Sequence, residues 1–276
     1  MCETCGCGNP DGFKIHGPYH THSHGEDHVH EHEHDHGHDH THSHTHSHDD
    51  DHQHSHDQTH QKTVKLNIDI LSANNLTAGM NRRFFEGRKV LCLNLVSSPG
   101  SGKTTILEKT IISLIPSKKI YVIEGDQQTH LDADRIAKTG ATAIQINTGS
   151  GCHLDSKMVE TALEKLDIGT NSILFIENVG NLVCPAMFDL GEQKRVVVVS
   201  TTEGEDKPVK YPNMFETSHL CIINKSDLLP YVDFRLEEFV KNCRIVNTDL
   251  EIITVSAKTG EGMDKWFAWI FNQLKK

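Results

Sequence analysis

The sequence predicts an α/β fold: a mostly parallel sheet with helices on both faces, preceded by a disordered His-rich tail. Three observations predict it. Short, largely apolar runs recur through residues 90–276, helix-like stretches separate them, and turn residues punctuate the joins. Strands apolar on both faces and alternating with helices are the pattern of a parallel sheet covered on each side. The tail differs in composition. Nineteen of the 22 histidines lie between His16 and His60, most of them alternating with Asp, Glu, Ser, Thr or Gly, and such a stretch has too little apolar surface to fold a core.

In chain order, residues 67–87 form an N-terminal helix or hairpin, and the apolar run 90–96 is the first core strand. A helical pattern then passes through Ile106, Leu107, Ile111 and Leu114 and stops near Pro116. Strands follow at 120–123, 142–146, 172–176, 195–200, 219–223 and 251–255, with helices notably at 155–166, 233–242 and 263–274. In the last helix Met263, Trp266, Phe267, Ile270 and Leu274 fall on one face, as core packing requires.

Charge divides the chain at the same place. Residues 1–62 carry 12 acidic side chains against 2 lysines, so they hold −10 of the total −11. Residues 63–276 are close to neutral, with no basic surface for nucleic acid. No apolar run approaches the ~18–20 residues of a membrane span, and no secretory segment follows Met1, so a cytoplasmic protein is expected. The expected organisation is a cysteine metal motif at 1–10, a disordered His-rich metal-binding segment at 11–62 and one folded domain at 63–276.

Eight cysteines in such a protein are thiols and metal ligands rather than a disulfide framework. Cys2, Cys5 and Cys7 stand within six residues, and Gly6 and Gly8 allow the tight curvature that converges three thiolates on one ion. Imidazole suits nickel, zinc and copper and is neutral near pH 7, so the histidines of the tail are a dispersed metal store. Cys92 and Cys221 sit inside strand-like runs and are core hydrophobes.

The first core strand ends in Ser97-Ser98-Pro99-Gly100-Ser101-Gly102-Lys103-Thr104-Thr105. This is the phosphate-binding loop of a P-loop NTPase, with Ser97 where the first glycine of G-x-x-x-x-G-K-[ST] usually stands. Backbone N–H groups of Gly100, Ser101, Gly102 and the residues through Thr105 would curl around phosphate oxygens at a helix N-terminus. Lys103 would reach the β- and γ-phosphates, and the Thr104 hydroxyl would ligate Mg²⁺. Two strand-end carboxylates, Asp126 and Glu177, are candidates to complete the magnesium site and position the attacking water. Neither an arginine finger nor a water-orienting glutamine is evident, so intrinsic hydrolysis should be slow.

Base choice is carried by Asn224-Lys225-Ser226-Asp227, an N-K-x-D signature after the strand at 219–223. A carboxylate only accepts hydrogen bonds, so Asp227 can take two guanine N–H groups that adenine cannot offer. Lys225 can lay its stem over the base, and the backbone of Ser256-Ala257-Lys258 would contact the guanine O6. The nucleotide is GTP.

These motifs together resemble the HypB family, GTPases that help insert nickel into nickel–iron hydrogenase. The resemblance spans Met1–Cys7, the His-rich segment and nearly all of residues 90–276. Its most specific pieces are Ser97–Thr105, Glu124-Gly-Asp-Gln127, Gly151-Cys-His153, Glu177-Asn-Val-Gly-Asn-Leu-Val-Cys184-Pro-Ala186 and Glu203-Gly-Glu-Asp-Lys207. It implies a SIMIBI-type G domain and nickel at Cys2, Cys5 and Cys7. It also implies a nickel or zinc site built from Cys152, His153 and Cys184 near the interface of a nucleotide- and metal-dependent homodimer. A HypA-type nickel chaperone and the hydrogenase large subunit would be the partners. Two other readings stay open: a urease-type insertion GTPase, and a nickel or zinc storage protein with secondary GTPase activity.

Overall fold

The computed structural model describes residues 13–19, 56–127 and 131–275. Cys2, Cys5, Cys7 and most of the His-rich segment lie outside these residues. The strands are β1 Lys14–Tyr19, β2 Leu91–Ser97, β3 Ile120–Asp126, β4 Thr142–Asn147, β5 Ile173–Glu177, β6 Lys194–Ser200, β7 Leu220–Asn224 and β8 Glu251–Thr254. They form one sheet in the order β1-β4-β3-β5-β2-β6-β7-β8. Every pairing is parallel except β1 with β4, which is antiparallel.

The helices are α1 His56–Arg88, α2 Lys103–Leu114, α3 Leu131–Ala137, α4 Ser156–Lys165, α5 Cys184–Met187, α6 Lys207–Lys210, α7 Pro212–Glu216, α8 Leu236–Val246 and α9 Met263–Gln273, with a 3-10 turn at Ser226–Tyr231. Side-chain alternation sorts the strands between two faces. Leu91, Leu93 and Leu95 join Ile106, Ile111, Trp266 and Ile270 on one side, where α2 and α9 pack. Cys92 joins Phe85, Val159 and Leu174 on the other, under α1 and α4. A third cluster packs Phe215 and Phe239 against Val197, Val199 and Cys221. Cys92, Cys221 and Cys243 are buried thiols.

Helix boundaries shift slightly from the expected ones. Asp155 does not open α4 but caps it, its carboxylate accepting from Met158 N at 2.8 Å. The stretch 67–87 belongs to one helix, α1, rather than a hairpin. Asn74 and Asn81 fasten α1: Ser156 N donates to Asn74 Oδ1 at 2.9 Å, and Asn81 Nδ2 donates to Ser156 O at 2.9 Å and Leu190 O at 3.1 Å.

Ordered elements also reach into the segment 11–62, expected to be disordered throughout. The strand β1 and the start of α1 both fall inside it. The reason is local: Phe13 and Ile15 alternate with Lys14 and His16, and the two apolar side chains pack against the core cluster that includes Ile144 and Ile146 of β4. Averaged over fifty residues of histidine and acid, that short alternation is invisible in composition.

Candidate functional site

The C-terminal ends of the central strands converge on one cleft of 610 Å³, lined by the loop from Ser97 to Thr105 and by Glu124, Asp126 and Lys225. This is the end of a parallel sheet where ligands sit in open α/β folds. The loop conformation explains its composition. Gly100 and Gly102 have φ of +73° and +93°, which favour glycine. A Cβ on Gly102 would also run into the Asn224 side-chain amide. Ser97 instead ends β2 in extended backbone and is buried, so a glycine is not required at that position.

Lys103 and Thr104 open α2 and converge on one oxygen. Lys103 Nζ donates to Glu177 Oε1 at 2.8 Å, and Thr104 Oγ1 donates to the same atom at 2.6 Å. Glu177, the last residue of β5, is fully buried, and its Oε2 has no hydrogen-bond partner. Glu124 faces it across the β3–β5 register and is also buried, with its own Oε2 unpartnered. Burial, then the neighbouring Glu177 charge, raise the Glu124 carboxyl well above its ordinary range. Burial works against the Lys103 charge, but Glu177 and Glu124 outweigh it and hold its pKa up.

Asp126 sits at the open end of β3, half-exposed, accepting from Gln127 N at 2.7 Å. It lines the cleft with Glu124, one pleat further in. Sequence reasoning names Glu124 only within a resemblance and gives it no role, although a carboxylate directly after the apolar run Ile120–Ile123 was the available signal. Glu203 was noted only as part of a resemblance. The structure has Ser98 Oγ donating to Glu203 Oε2 at 2.6 Å and Ser200 N donating to Oε1 at 2.9 Å, so this carboxylate props the phosphate loop from the β6 side. Arg135 lines the cleft too, donating to Glu108 at 2.6 Å, Asp132 at 2.9 Å and Thr105 Oγ1 at 3.3 Å.

The two loops expected to read the base are bonded to each other and to the phosphate loop. Asn224 donates to Ser101 O at 2.9 Å and accepts from Ala257 N at 3.1 Å. Ser256 Oγ donates to Asp227 Oδ1 at 2.6 Å. Lys225 adopts φ +62° and donates to Gly100 O at 2.7 Å, bridging the phosphate loop. Lys258 is exposed beside them.

Cys152, His153 and Cys184 come together, their ligand atoms all within 4.8 Å of one another. The sulfurs of Cys152 and Cys184 are 2.6 Å apart, and His153 Nδ1 lies 3.8 Å from Cys152 Sγ. The His153 ring stacks on Phe188 with centroids 3.9 Å apart. Burial lowers its pKa, which keeps the imidazole neutral and able to bind metal at neutral pH. Two thiols and an imidazole form a soft donor set suited to nickel or zinc, in contrast to the all-oxygen cluster at Glu177. The two sites are linked. Leu154 N donates to Asn178 Oδ1 at 3.2 Å, and Asn178 follows Glu177 directly.

A P-loop on a mostly parallel sheet, with a nucleotide-sized cleft at the strand ends, defines a P-loop nucleotide-binding protein. Residues 91–254 match the model of the CobW/HypB/UreG nucleotide-binding domain. The hydrogenase maturation factor HypB of Escherichia coli K12 is 56% identical over 212 residues, which cover 77% of this chain and 73% of that protein. The probable hydrogenase maturation factor HypB of Methanocaldococcus jannaschii is 43% identical over 208 residues, covering 75% of this chain and 94% of that one. Two solved structures are similar. HypB from Archaeoglobus fulgidus matches with a TM-score of 0.69 and 36% identity, over 74% of this chain and 99% of that one. HypB from Helicobacter pylori, in complex with nickel, matches with a TM-score of 0.70 and 35% identity, over 74% and 95%. The chain belongs to the HypB family of hydrogenase maturation factors.

Proposed function

We propose that this chain is a GTP-hydrolysing nickel metallochaperone that stores nickel and delivers it to the hydrogenase large subunit. The observation that carries the reading is the Leu154–Asn178 hydrogen bond. It ties the loop bearing Cys152 and His153 to the residue after Glu177, so a change at the γ-phosphate is felt at the metal cluster within a few bonds.

GTP would lie along the Gly100–Thr105 loop, with its base held by Asn224, Lys225 and Asp227 and by the Ser256–Lys258 loop. The residues fit a magnesium ion. Buried, unpartnered carboxylate oxygens beside the Thr104 hydroxyl are the hard oxygen donors it prefers. Thr104, Glu177 and Asp126 would hold it, directly or through water, and the ion would neutralise phosphate charge. Lys103 would turn from Glu177 toward the β- and γ-phosphates and stabilise the charge that develops on the transferring phosphoryl group. Water attacks the γ-phosphorus in line as the bond to the β–γ bridging oxygen breaks, leaving GDP and phosphate.

Nickel is cargo in this scheme. Cys152, His153 and Cys184 form the switchable site, able also to take zinc, and the His-rich segment is the store. The chain would act as a nucleotide- and metal-dependent homodimer, with a HypA-type nickel chaperone and the hydrogenase large subunit as its partners, in the cytoplasm. Among the described residues no helix is long and apolar enough to cross a membrane. The test is hydrogenase activity in a strain lacking the protein, with and without added nickel: restored activity on complementation supports insertion, and metal tolerance alone supports storage.

A further inference from the structure

Two buried asparagines interrupt the packed face of α1. Asn is a poor residue for a helix interior, and a buried amide costs stability unless it is hydrogen-bonded. Asn74 and Asn81 lie seven residues apart, two turns along one side of the helix. Both are buried, and both spend their side chains on the same two segments. Asn74 Oδ1 accepts from Ser156 N at 2.9 Å, and Asn74 Nδ2 donates to Asp189 O at 2.8 Å. Asn81 Nδ2 donates to Ser156 O at 2.9 Å and to Leu190 O at 3.1 Å. Ser156 Oγ adds a bond to Asn74 O at 2.7 Å, so the N–H, hydroxyl and carbonyl of Ser156 are all tied to α1.

Those two segments are the arms of the metal cluster. Ser156 stands three residues after His153, and Asp189 stands five residues after Cys184. Both arms are held along their length. On the first, Asp155 caps α4 and Leu154 N is bonded to Asn178. On the second, Arg195 donates to Ala186 O at 3.0 Å and to Phe188 O at 2.8 Å. The Phe188 ring lies in turn against His153. Gly191, with φ +90°, sits so close to α1 that a Cβ there would meet Ala78 O at 2.6 Å. A shift where either arm meets the helix is therefore carried to the ligand atoms.

We propose that Asn74 and Asn81 are positioning residues for the Cys152/His153/Cys184 cluster. Each bridges the arm bearing Cys152 and His153 to the arm bearing Cys184, and the bridges set how tightly the cluster grips a metal ion. This rests on the reading of the cluster as a nickel site given above. The two cysteines are 32 residues apart in sequence, on loops that follow different strands. A site whose donors are already gathered binds without the cost of ordering two loops. Groups that orient metal ligands from behind are worth about 10–100-fold in affinity.

The full chain, kept reduced, is titrated with Ni²⁺ at free concentrations set by a chelator. Alkylation of Cys152 and Cys184 is read by mass spectrometry, which reports this cluster apart from every other ligand in the chain. Asn74→Ala and Asn81→Ala should each raise the free Ni²⁺ needed for half-protection by about tenfold or more. Asn74→Asp is the sharper variant. It keeps the size of the side chain and the acceptor for Ser156 N but loses the donor to Asp189 O, so the bridge is cut on one side only. It should weaken protection as much as Asn74→Ala, and it carries the test if the alanine variant fails to fold. Arg88→Ala is the control. It removes a different fastening of α1, the bond to Ile168 O at 2.6 Å, and should lower the melting temperature with half-protection unchanged. Metal affinity that simply follows melting temperature across the variants, or unchanged half-protection in Asn74→Asp, would overturn the positioning role and leave the cluster a nickel site. If Ni²⁺ protects neither cysteine in the unaltered chain, the nickel reading of the cluster falls and this proposal falls with it.

Discussion

Glu124 and Glu177 face each other across two adjacent parallel strands, both buried, and Lys103 reaches only Glu177, at 2.8 Å. Two carboxylates and one ammonium cannot all stay charged in so dry a place. Burial, then the neighbouring Glu177 charge, push the Glu124 carboxyl well above its ordinary range, which favours its protonated form.

Glu124→Gln should therefore be well tolerated, because the amide copies a protonated carboxyl. The pH dependence gives a sharper check. A carboxyl whose folded pKa is raised stabilises the fold fully below its unfolded value and loses that contribution as pH rises toward the folded one. Wild-type stability should thus include a term that declines as pH climbs above the ordinary carboxyl range. Glu124→Gln should lack that decline in denaturant melts at successive pH values. A variant with the same pH profile as wild type would show that Glu124 ionises freely.

Lys103→Ala should nearly abolish GTP hydrolysis, since it removes the cation aimed at the transferring phosphoryl group. It also leaves Glu177 without its ion pair, and breaking a buried pair by removing one partner costs about 3–5 kcal/mol. Single-turnover hydrolysis and thermal melting separate the two effects. Normal hydrolysis by the variant would contradict the role given to Lys103.

Asp227→Asn replaces an acceptor with a group that presents a donor to the base. GTP binding should weaken by about 2–4 kcal/mol, and xanthine nucleotides should gain. The variant also disturbs the bond from Ser256 Oγ to Asp227 at 2.6 Å. Ser256→Ala is the control, because it removes that bond and leaves the acceptor. Unchanged GTP affinity of Asp227→Asn by calorimetry would remove base recognition from this loop.

Cys152→Ala with Cys184→Ala should end the influence of metal on GTP hydrolysis and lower hydrogenase maturation even when nickel is abundant. Deleting residues 20–55 takes away 16 histidines but spares β1 and α1. That deletion should leave GTP turnover intact, remove most bound nickel and impair maturation mainly when nickel is scarce. The opposite pattern, a dispensable cysteine pair and a tail essential in rich medium, would reverse the division between switch and store.

By itself the sequence determined the parts whose chemistry is local. The Ser97–Thr105 loop, the Asn224–Asp227 signature and the alternation of buried strands with helices are written in contiguous residues. Their physics, glycine at positive φ, apolar periodicity and strand-to-helix turns, acts over a few peptide units. Tertiary structure alone decided which distant residues meet. Strand order brought Glu124 beside Glu177, put Glu203 under Ser98 and closed Cys152 onto Cys184 across 32 residues. It also drew β1 out of a segment whose composition reads as tail, because a sheet edge and an apolar surface were there to receive Phe13 and Ile15. Periodicity shows that a residue is buried. Which neighbour it is buried against depends on how the crossovers order the strands, and that order exists only in the assembled sheet.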